Sequence, residues 1–392
     1  MADDGRDDLG IFADSPSGPD PAGDGATTTG GVATDPDAER RRRKRGGFFS
    51  RHKVAVVLLS LLGLVVVSLG GFAFYINRMI SGIARIQTDL PENLRPVKAP
   101  AYNPDGPPPL NILLAGADNG DNGTGIAAAI RAGTWQPGQH RSDTIMVLHV
   151  TSDRKKAYIV SIPRDTYVPI NGHPASKINA SFSWGGPSLL QLTVEQLTGV
   201  RMDHLAIIDW NGFRDLSTAL GGVTVFIPKD VFDPMHRVLW TAGTHTLQGN
   251  DALEYVRTRY GLENGDFDRI QRQQNFIRET ARKLLSKGTL LNPVTLSQSL
   301  DAITSNIVVD DKFTDGDIRG LALEMRDIRL TDVKFVTIPT TGFGTDSFGG
   351  STVTVNTDRV RELFTAVQED DLDGYIARNP DATELREPNS VS

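Results

Sequence analysis

The chain has 392 residues, 39% hydrophobic and 23% charged, the balance of a globular protein with room for one large or two small cored domains. A net charge of −7 excludes nucleic-acid binding by bulk electrostatics. There is no cysteine, which excludes disulfides, thiolate zinc sites and cysteine nucleophiles and leaves any folded domain to be held by its core.

Residues 1–53 read as a disordered tail rich in Asp, Gly, Pro, Ser and Thr, closing on the unbroken basic run Arg40–Arg45. Val54–Ile76 follows with no charge in it, long enough for the roughly 20 residues that cross a hydrocarbon core. The apolar region of a cleaved signal peptide is shorter and seldom follows so long a polar tail. The basic residues before the span outnumber Arg78 and Arg85 after it, so the positive-inside rule predicts a cytoplasmic tail and an extracytoplasmic remainder. Residues 77–109 read as a juxtamembrane stalk ending in the Pro-rich stretch 100–109.

A folded domain is predicted over 110–370. Asn111–Ala115, Thr144–Val150 and Ala157–Ile162 read as strands, and Leu189–Leu197 as a helix stopped by Gly199. Leu205–Trp210 is a strand, Gly212–Leu220 a helix, Val223–Ile227 a strand and Asp251–Val256 a short helix. A longer helix is expected from Asp266 to about Lys287, with Gly288 as its stop and Ile270, Ile277, Ala281 and Leu284 as its buried stripe. Val333–Ile338 reads as a strand, Asp358–Val367 as the last helix, and 371–392 as a polar tail. Strands interleaved with helices imply a three-layer α/β domain.

Several charged residues fall where strands end. Arg141 and Asp143 precede one strand, Arg164 and Asp165 follow the next, and Thr151–Lys156 between them is a polar turn. If the strands form a hairpin, Asp143 lies opposite Arg164 and the four side chains gather at one sheet edge. The strand beginning at Asn111 ends near Asp118, a further carboxylate. Arg257 and Arg259 end the short helix, and Asp266–Gln274 opens the long one, with Arg269 and Gln273 four residues apart at the rim of its stripe. Each arginine alone reads most simply as one half of a surface ion pair. Together, with few carboxylates among them, they ask for an anion, and guanidinium forks match phosphate oxygens. Carboxylates among those arginines suit a hard cation such as Mg²⁺ between them and the phosphates. No P-loop, HExxH or histidine cluster is present.

The stretches RSDTIMVLHV (141–150), SIPRDTYV (161–168), KINASFSWGGP (177–187), LQGNDALEYVRTRY (247–260) and DFDRIQRQQNFI (266–277), in this order, resemble the LytR-CpsA-Psr family of bacterial cell-wall enzymes. The resemblance covers roughly 110–290 and extends more weakly to about 370. It implies an α/β/α domain with a central mixed sheet behind one transmembrane helix. It further implies transfer of a glycopolymer from a polyprenyl-pyrophosphate carrier to peptidoglycan through a phosphodiester. Carried over by position, Arg141, Arg164, Lys177, Arg257, Arg259, Arg269 and Gln273 would bind pyrophosphate, and Asp118 and Asp143 would hold Mg²⁺. Asn179, Arg272 and Asp165 would support substrate binding. The expected partners are the lipid-linked glycan, the peptidoglycan acceptor and the membrane, with no nucleic acid.

Two positions depart from the family pattern. The Arg that commonly follows the first aspartate is missing after Asp118, leaving Asp121 as a rival metal ligand. Asp268 replaces a common Gly, adding a negative charge that Arg272 or the metal must offset. Phe182, Trp184, Leu189, Leu190 and Leu192 are candidates for a lipid-tail slot and equally for ordinary core. Two other functions compete: a polyprenyl-pyrophosphate hydrolase using the same site, and a non-enzymatic envelope regulator or scaffold.

Overall fold

The computed structural model describes residues 73–98, 107–118, 125–138, 140–346 and 349–379, with shorter pieces near 62–71 and 383–391. The span predicted over Val54–Ile76 lies largely outside the described residues, as do the tail 1–53 and Asp121. Among the described residues no helix is long and apolar enough to cross a membrane.

The elements, in chain order, begin with β1 (Ala84–Ile86), β2 (Leu110–Asp118), α1 (Ile126–Arg131), β3 (Arg141–Val150) and β4 (Ala157–Ile162). A hairpin of β5 (Tyr167–Ile170) and β6 (His173–Lys177) leads into α2 (Ile178–Thr198). Then come β7 (His204–Asp209), α3 (Trp210–Ala219), β8 (Val223–Ile227), β9 (Val231–Asp233), β10 (Val238–Trp240), β11 (Gly243–Leu247) and α4 (Gly249–Arg257). The long helix α5 is Asp266–Leu284, followed by α6 (Pro293–Asn306), β12 (Ile307–Asp310), α7 (Asp315–Glu324) and β13 (Val333–Thr337). The chain closes with β14 (Thr340–Thr345), β15 (Ser351–Val355), α8 (Thr357–Gln368), α9 (Leu372–Arg378) and β16 (Thr383–Glu384).

Eight strands form one mixed sheet in the order β1-β12-β7-β2-β3-β4-β13-β16. The predicted β3–β4 hairpin is present, with Ile145 opposite Ile162. Alternate side chains of these strands serve different cores, as the two-residue period of a strand requires. Leu113, Val147, Val160 and Leu205 face α2 and α8. Ile112, Ala206 and Val309 face helix 73–81 and α7, while Met146 and Ile159 face Ile277 of α5. Helices therefore cover both faces, which is why every residue of β4 is buried. A second core gathers Val223, Val225, Trp240, Leu253, Tyr255 and Phe276 between β8, β11 and the helices α3, α4 and α5.

Four boundaries differ from expectation. Residues 77–98 of the segment read as a stalk are part of the domain. Its β1 pairs in parallel with β12, and Arg95 donates to the fully buried Glu195 at 2.9 Å. The segment read as a polar tail carries α9, whose Leu372 and Tyr375 complete the main core, and β16, which pairs with β13. Both contacts are made by residues distant in sequence, which local patterning does not register. Helix α2 is two helical segments that meet at Gly185–Gly186, whose backbone is non-helical; the expected Leu189–Leu197 lies in the second, and the first, from Ile178, goes beyond the expectation. Gly199 ends it in the left-handed conformation at φ 72°, as expected. Helix α5 ends at Leu284 rather than near Gly288, because Ser286 accepts from Thr289 N at 3.3 Å and opens a separate turn, Lys287–Leu290.

Candidate functional site

A cleft of about 1180 Å³ opens at the end of the sheet where β2 and β4 finish. Its floor comes from the turn after β4. Thr166 is fully buried and donates its hydroxyl to Pro163 O at 2.6 Å, fixing the Pro163–Thr166 turn. Thr166 O and Arg164 O in turn accept from Ile178 N (2.8 Å) and Asn179 N (3.2 Å). Two of the otherwise orphaned amides at the start of α2 are thereby satisfied by the turn that carries Arg164 and Asp165. Lys177 and Asn179 enter the cleft for that reason, with Lys177 Nζ 3.3 Å from Asp165 Oδ1.

The hairpin register brings Asp143 to Arg164, whose Nη1 donates to Asp143 Oδ1 at 2.6 Å. Arg164 Nε also lies 3.7 Å from Asp165 Oδ2. Burial pulls the Arg164 guanidinium pKa down, but Asp143, Asp165 and Asp266 together outweigh it and the pKa is raised. Arg141, Asp118 and Arg259 line the same cleft. Asp118 sits opposite Arg141 across the β2–β3 ladder, after a register shift at Gly116–Ala117. The Arg259 guanidinium lies over the Tyr260 ring at 5.0 Å.

Four expected site residues stand back from the cleft wall. Arg269 is buried and donates to Asp266 at 2.9 Å; burial lowers its pKa, against the opposing pull of Asp266. It shares the electrostatic neighbourhood of Arg164 and Asp143 from behind Asp266, rather than from an exposed rim. Arg257 lies against the face of Trp210, 3.6 Å from the ring centroid. Gln273 donates to Val256 O at 3.3 Å. Arg272, expected to touch substrate, is instead fully buried with its guanidinium 4.6 Å over the Tyr255 ring, in the second core. Asp268 does not line the cleft either: it accepts from Asn264 N at 3.0 Å and from Asn264 Nδ2, closing the loop into α5.

The cleft also has walls that sequence reasoning did not place. Val353 N donates to Asp165 O at 2.8 Å and ties β15 to the floor, which carries Phe343 and Asp346 of the β14–β15 hairpin into the cleft. Phe343 meets Phe267 edge to face at 5.5 Å. Glu263 and Asp266 line the same side. Asp266 stood within the quoted DFDRIQRQQNFI stretch, whereas the hairpin carried no local signal. Of the proposed tail contacts, only Trp184 reaches the cleft, stacked on His173 at 4.9 Å. Phe182, Leu190 and Leu192 are core, and Leu189 packs on that core.

Asp118 and Asp143 present hard oxygens to one cleft, which suits Mg²⁺ bound by one or two carboxylates plus phosphate oxygens. Among the described residues no group of three or more His, Cys, Asp or Glu is arranged to hold a metal by itself. The residues fit a cation shared with a phosphate ligand rather than a closed protein cage.

The sequence profile of the LytR_cpsA_psr family matches residues 81–369. The cell wall biosynthesis protein LcpA of Corynebacterium glutamicum is 34% identical over 287 residues, which cover 65% of this chain and 54% of LcpA. The polyisoprenyl-teichoic acid–peptidoglycan teichoic acid transferase TagU of Enterococcus faecalis is 32% identical, over 60% of this chain and 72% of TagU. The solved structure of TagT bound to LIIa-WTA superposes with a TM-score of 0.52 at 25% identity, over 73% of this chain and 100% of TagT. The chain spans about half the length of the LcpA sequence it matches. The profile match, covering well over half of the residues and ending just after α8, shows that the chain belongs to the LytR-CpsA-Psr family.

Proposed function

We propose that this protein is a phosphotransferase. It moves a glycopolymer from a polyprenyl-pyrophosphate carrier to peptidoglycan and leaves a phosphodiester link. The observation that carries the reading is the juxtaposition of Arg141, Arg164, Lys177 and Arg259 with Asp118 and Asp143 around one cleft. Relatives named for teichoic acid transfer to peptidoglycan support the substrate class.

A sugar hydroxyl of peptidoglycan attacks the phosphorus nearer the glycan. The new P–O bond forms as the bond to the bridging oxygen breaks, and polyprenyl phosphate leaves with that oxygen. The hydroxyl proton passes to solvent or a cleft carboxylate. Such a reaction draws its rate mostly from positioning and charge stabilisation. Arg164, oriented by Asp143 and Asp165, and Lys177, oriented by Asp165, hold the diphosphate oxygens. Arg269 adds positive potential from behind Asp266. Asp118 and Asp143 would hold Mg²⁺, which supplies further neutralisation of the diphosphate. The uncharged run Val54–Ile76 anchors the chain, with the cleft extracytoplasmic, where both substrates are found.

The test is product analysis of the full chain with a polyprenyl-pyrophosphate glycan, with and without peptidoglycan. Glycan covalently joined to peptidoglycan, together with polyprenyl phosphate, is the expected outcome. Equal carrier cleavage without acceptor would instead establish a hydrolase. No turnover and no lipid binding would leave a scaffold.

A further inference from the structure

Between Glu279 and Asp301 the chain has no acidic residue, while Arg282, Lys283 and Lys287 stand among Leu285, Leu290, Leu291 and Val294. This stretch is firmly built. Buried Thr289 donates to Lys283 O at 2.7 Å, and Asn292 accepts from Val294 N (3.1 Å) and Thr295 N (3.2 Å) to start α6. Yet the apolar side chains it displays are not covered. Leu290, Leu291 and Val294, with Phe74 of helix 73–81 and Leu323 of α7, are between 47% and 80% exposed.

Three helices place these side chains at one level. Tyr75 OH and Ser297 Oγ share a hydrogen bond at 2.6 Å. Seven or eight residues on, Arg131 bridges Gly82 O (3.1 Å) and Ser305 O (2.8 Å). Helix 73–81 therefore runs parallel to α6. Ser81 donates to Asp315 at 2.6 Å and Arg319 to Asn77, so the same helix runs antiparallel to α7. Followed back towards its start, helix 73–81 is flanked by Val294 on one side and Leu323 on the other. That start is the last turn of the uncharged run Val54–Ile76.

We propose that this face docks on the bilayer. Leu290, Leu291, Val294 and Leu323 enter the boundary between headgroups and acyl chains, and Lys283 and Lys287 meet anionic headgroups. The proposal rests on the reading of Val54–Ile76 as a membrane span, which delivers lipid beside these residues. An ordered apolar surface whose 280–300 stretch carries no acidic residue, and where Glu324 beside Leu323 is paired with Arg154, is suited to lipid rather than water next to the point where the chain leaves a bilayer. It also fixes the cleft: α5 begins at Asp266 in the cleft and ends at this face, a separation of about 28 Å for its length at 1.5 Å per residue.

The natural chain has no cysteine, so Leu291→Cys and Leu323→Cys each give a single site for a fluorophore, and Asn171→Cys in the exposed β5–β6 turn gives a reference. The labelled full chain is reconstituted at low protein density in phosphatidylglycerol–phosphatidylethanolamine vesicles whose acyl chains carry bromine as quencher. Quenching at 291 and 323, with little at 171, is the expected result. Quenching at 291 and 323 no stronger than at 171, in a chain that resists alkaline washing, overturns the docking while leaving the span intact. A chain that washes off the vesicles overturns both. Shielding at 291 that appears only at high protein density, without lipid quenching, assigns the face to a second copy and also overturns the proposal.

Discussion

Arg164 Nη1 and Asp143 Oδ1 meet at 2.6 Å across the open end of the β3–β4 hairpin, each two residues beyond the last ladder pair, Ile145 and Ile162. The pair fixes Nη1, and Asp165 Oδ2 lies 3.7 Å from Nε, so two carboxylates orient the fork at the cleft wall. Arg164→Ala should lower turnover by about 10²-fold or more, the usual loss when one preorganised charge donor is removed. Circular dichroism should show the fold unchanged. Arg164→Lys should recover only part of the rate, since an ammonium does not form the fork. Steady-state rates with the lipid-linked donor check both, and an unchanged rate in Arg164→Ala would remove the arginine from the site.

Asp118 reaches the cleft by a different route, at the end of β2 beyond the shift at Gly116–Ala117. If it shares a cation with Asp143 and the substrate, chelation should depress turnover and added Mg²⁺ should restore it. Asp118→Asn should raise the Mg²⁺ concentration for half-maximal rate by roughly tenfold or more, the loss seen even for residues that only support metal ligands. A Mg²⁺ titration of the two proteins decides the matter, and identical curves would exclude Asp118 as a ligand.

The sites that could be read from the sequence share a physical cause. Asp143 and Arg164 were legible because a hairpin is local and its register can be counted from the turn. Ala157–Ile162 and Val223–Ile227 were legible as short apolar, β-branched runs with clear ends. What escaped depends on distant pairing. The strand β1 joins β12 from more than two hundred residues away, and Asp346 and Phe343 reach the cleft on a hairpin tied to the distant Asp165 by Val353 N. The burial of Arg272 escaped for another reason: α5 lies between two cores, so its polar side chains are enclosed as well as its apolar stripe.

Asp370 shows how much the region past residue 369 contributes. Its carboxylate accepts from Ser152 N (3.0 Å) and Ser152 Oγ (2.7 Å) and meets His149 Nε2 at 2.8 Å, with its own φ at +55°. Burial raises its pKa, but the bonds from His149 and Ser152 outweigh this and leave it lowered. The folded state then holds the proton less tightly than the unfolded chain. The resulting stability is present above the ordinary carboxylate pKa and is lost as pH falls through the lowered folded value. Asp370→Asn should lower the Tm at pH 7 and flatten its fall on acidification below about pH 4. Thermal melts across that range test this, and parallel curves for both proteins would reject it.

Gly261 follows Arg259 and Tyr260 at φ +82°, and a Cβ built there collides with the carbonyl oxygen of Phe232 in β9. Backbone against backbone leaves no flexible atom to yield. Gly261→Ala should destabilise the protein by about 1–3 kcal/mol and displace Arg259 from the cleft, raising KM for the donor. Denaturant unfolding measures the first effect and donor titration the second; a variant that matches the parent in both would mean that the loop is not fixed by this contact.

Gln274 ties the long helix to the sheet. It is fully buried, and its Nε2 donates to Ser161 Oγ at 2.8 Å, with Val336 O and Thr337 Oγ1 each at 3.3 Å. Ser161 is the penultimate residue of β4, so the helix that carries Asp266 and Arg269 is referenced to the strand that leads into the turn carrying Arg164. Gln274→Leu keeps the volume but removes the donor and strands three acceptors in the interior. The expected cost is about 1–3 kcal/mol. Because α5 can then shift against β4, turnover should fall more than donor affinity, the mark of a group that positions others rather than touching substrate. Gln274→Glu restores the shape and accepts from Ser161, but buries a carboxylate beside Val336 O, and should be less stable than Gln274→Leu at neutral pH. Urea midpoints for the two variants, read beside their kcat and KM, separate this positioning role from simple packing: equal midpoints and parental kinetics would show that the helix is held without Gln274.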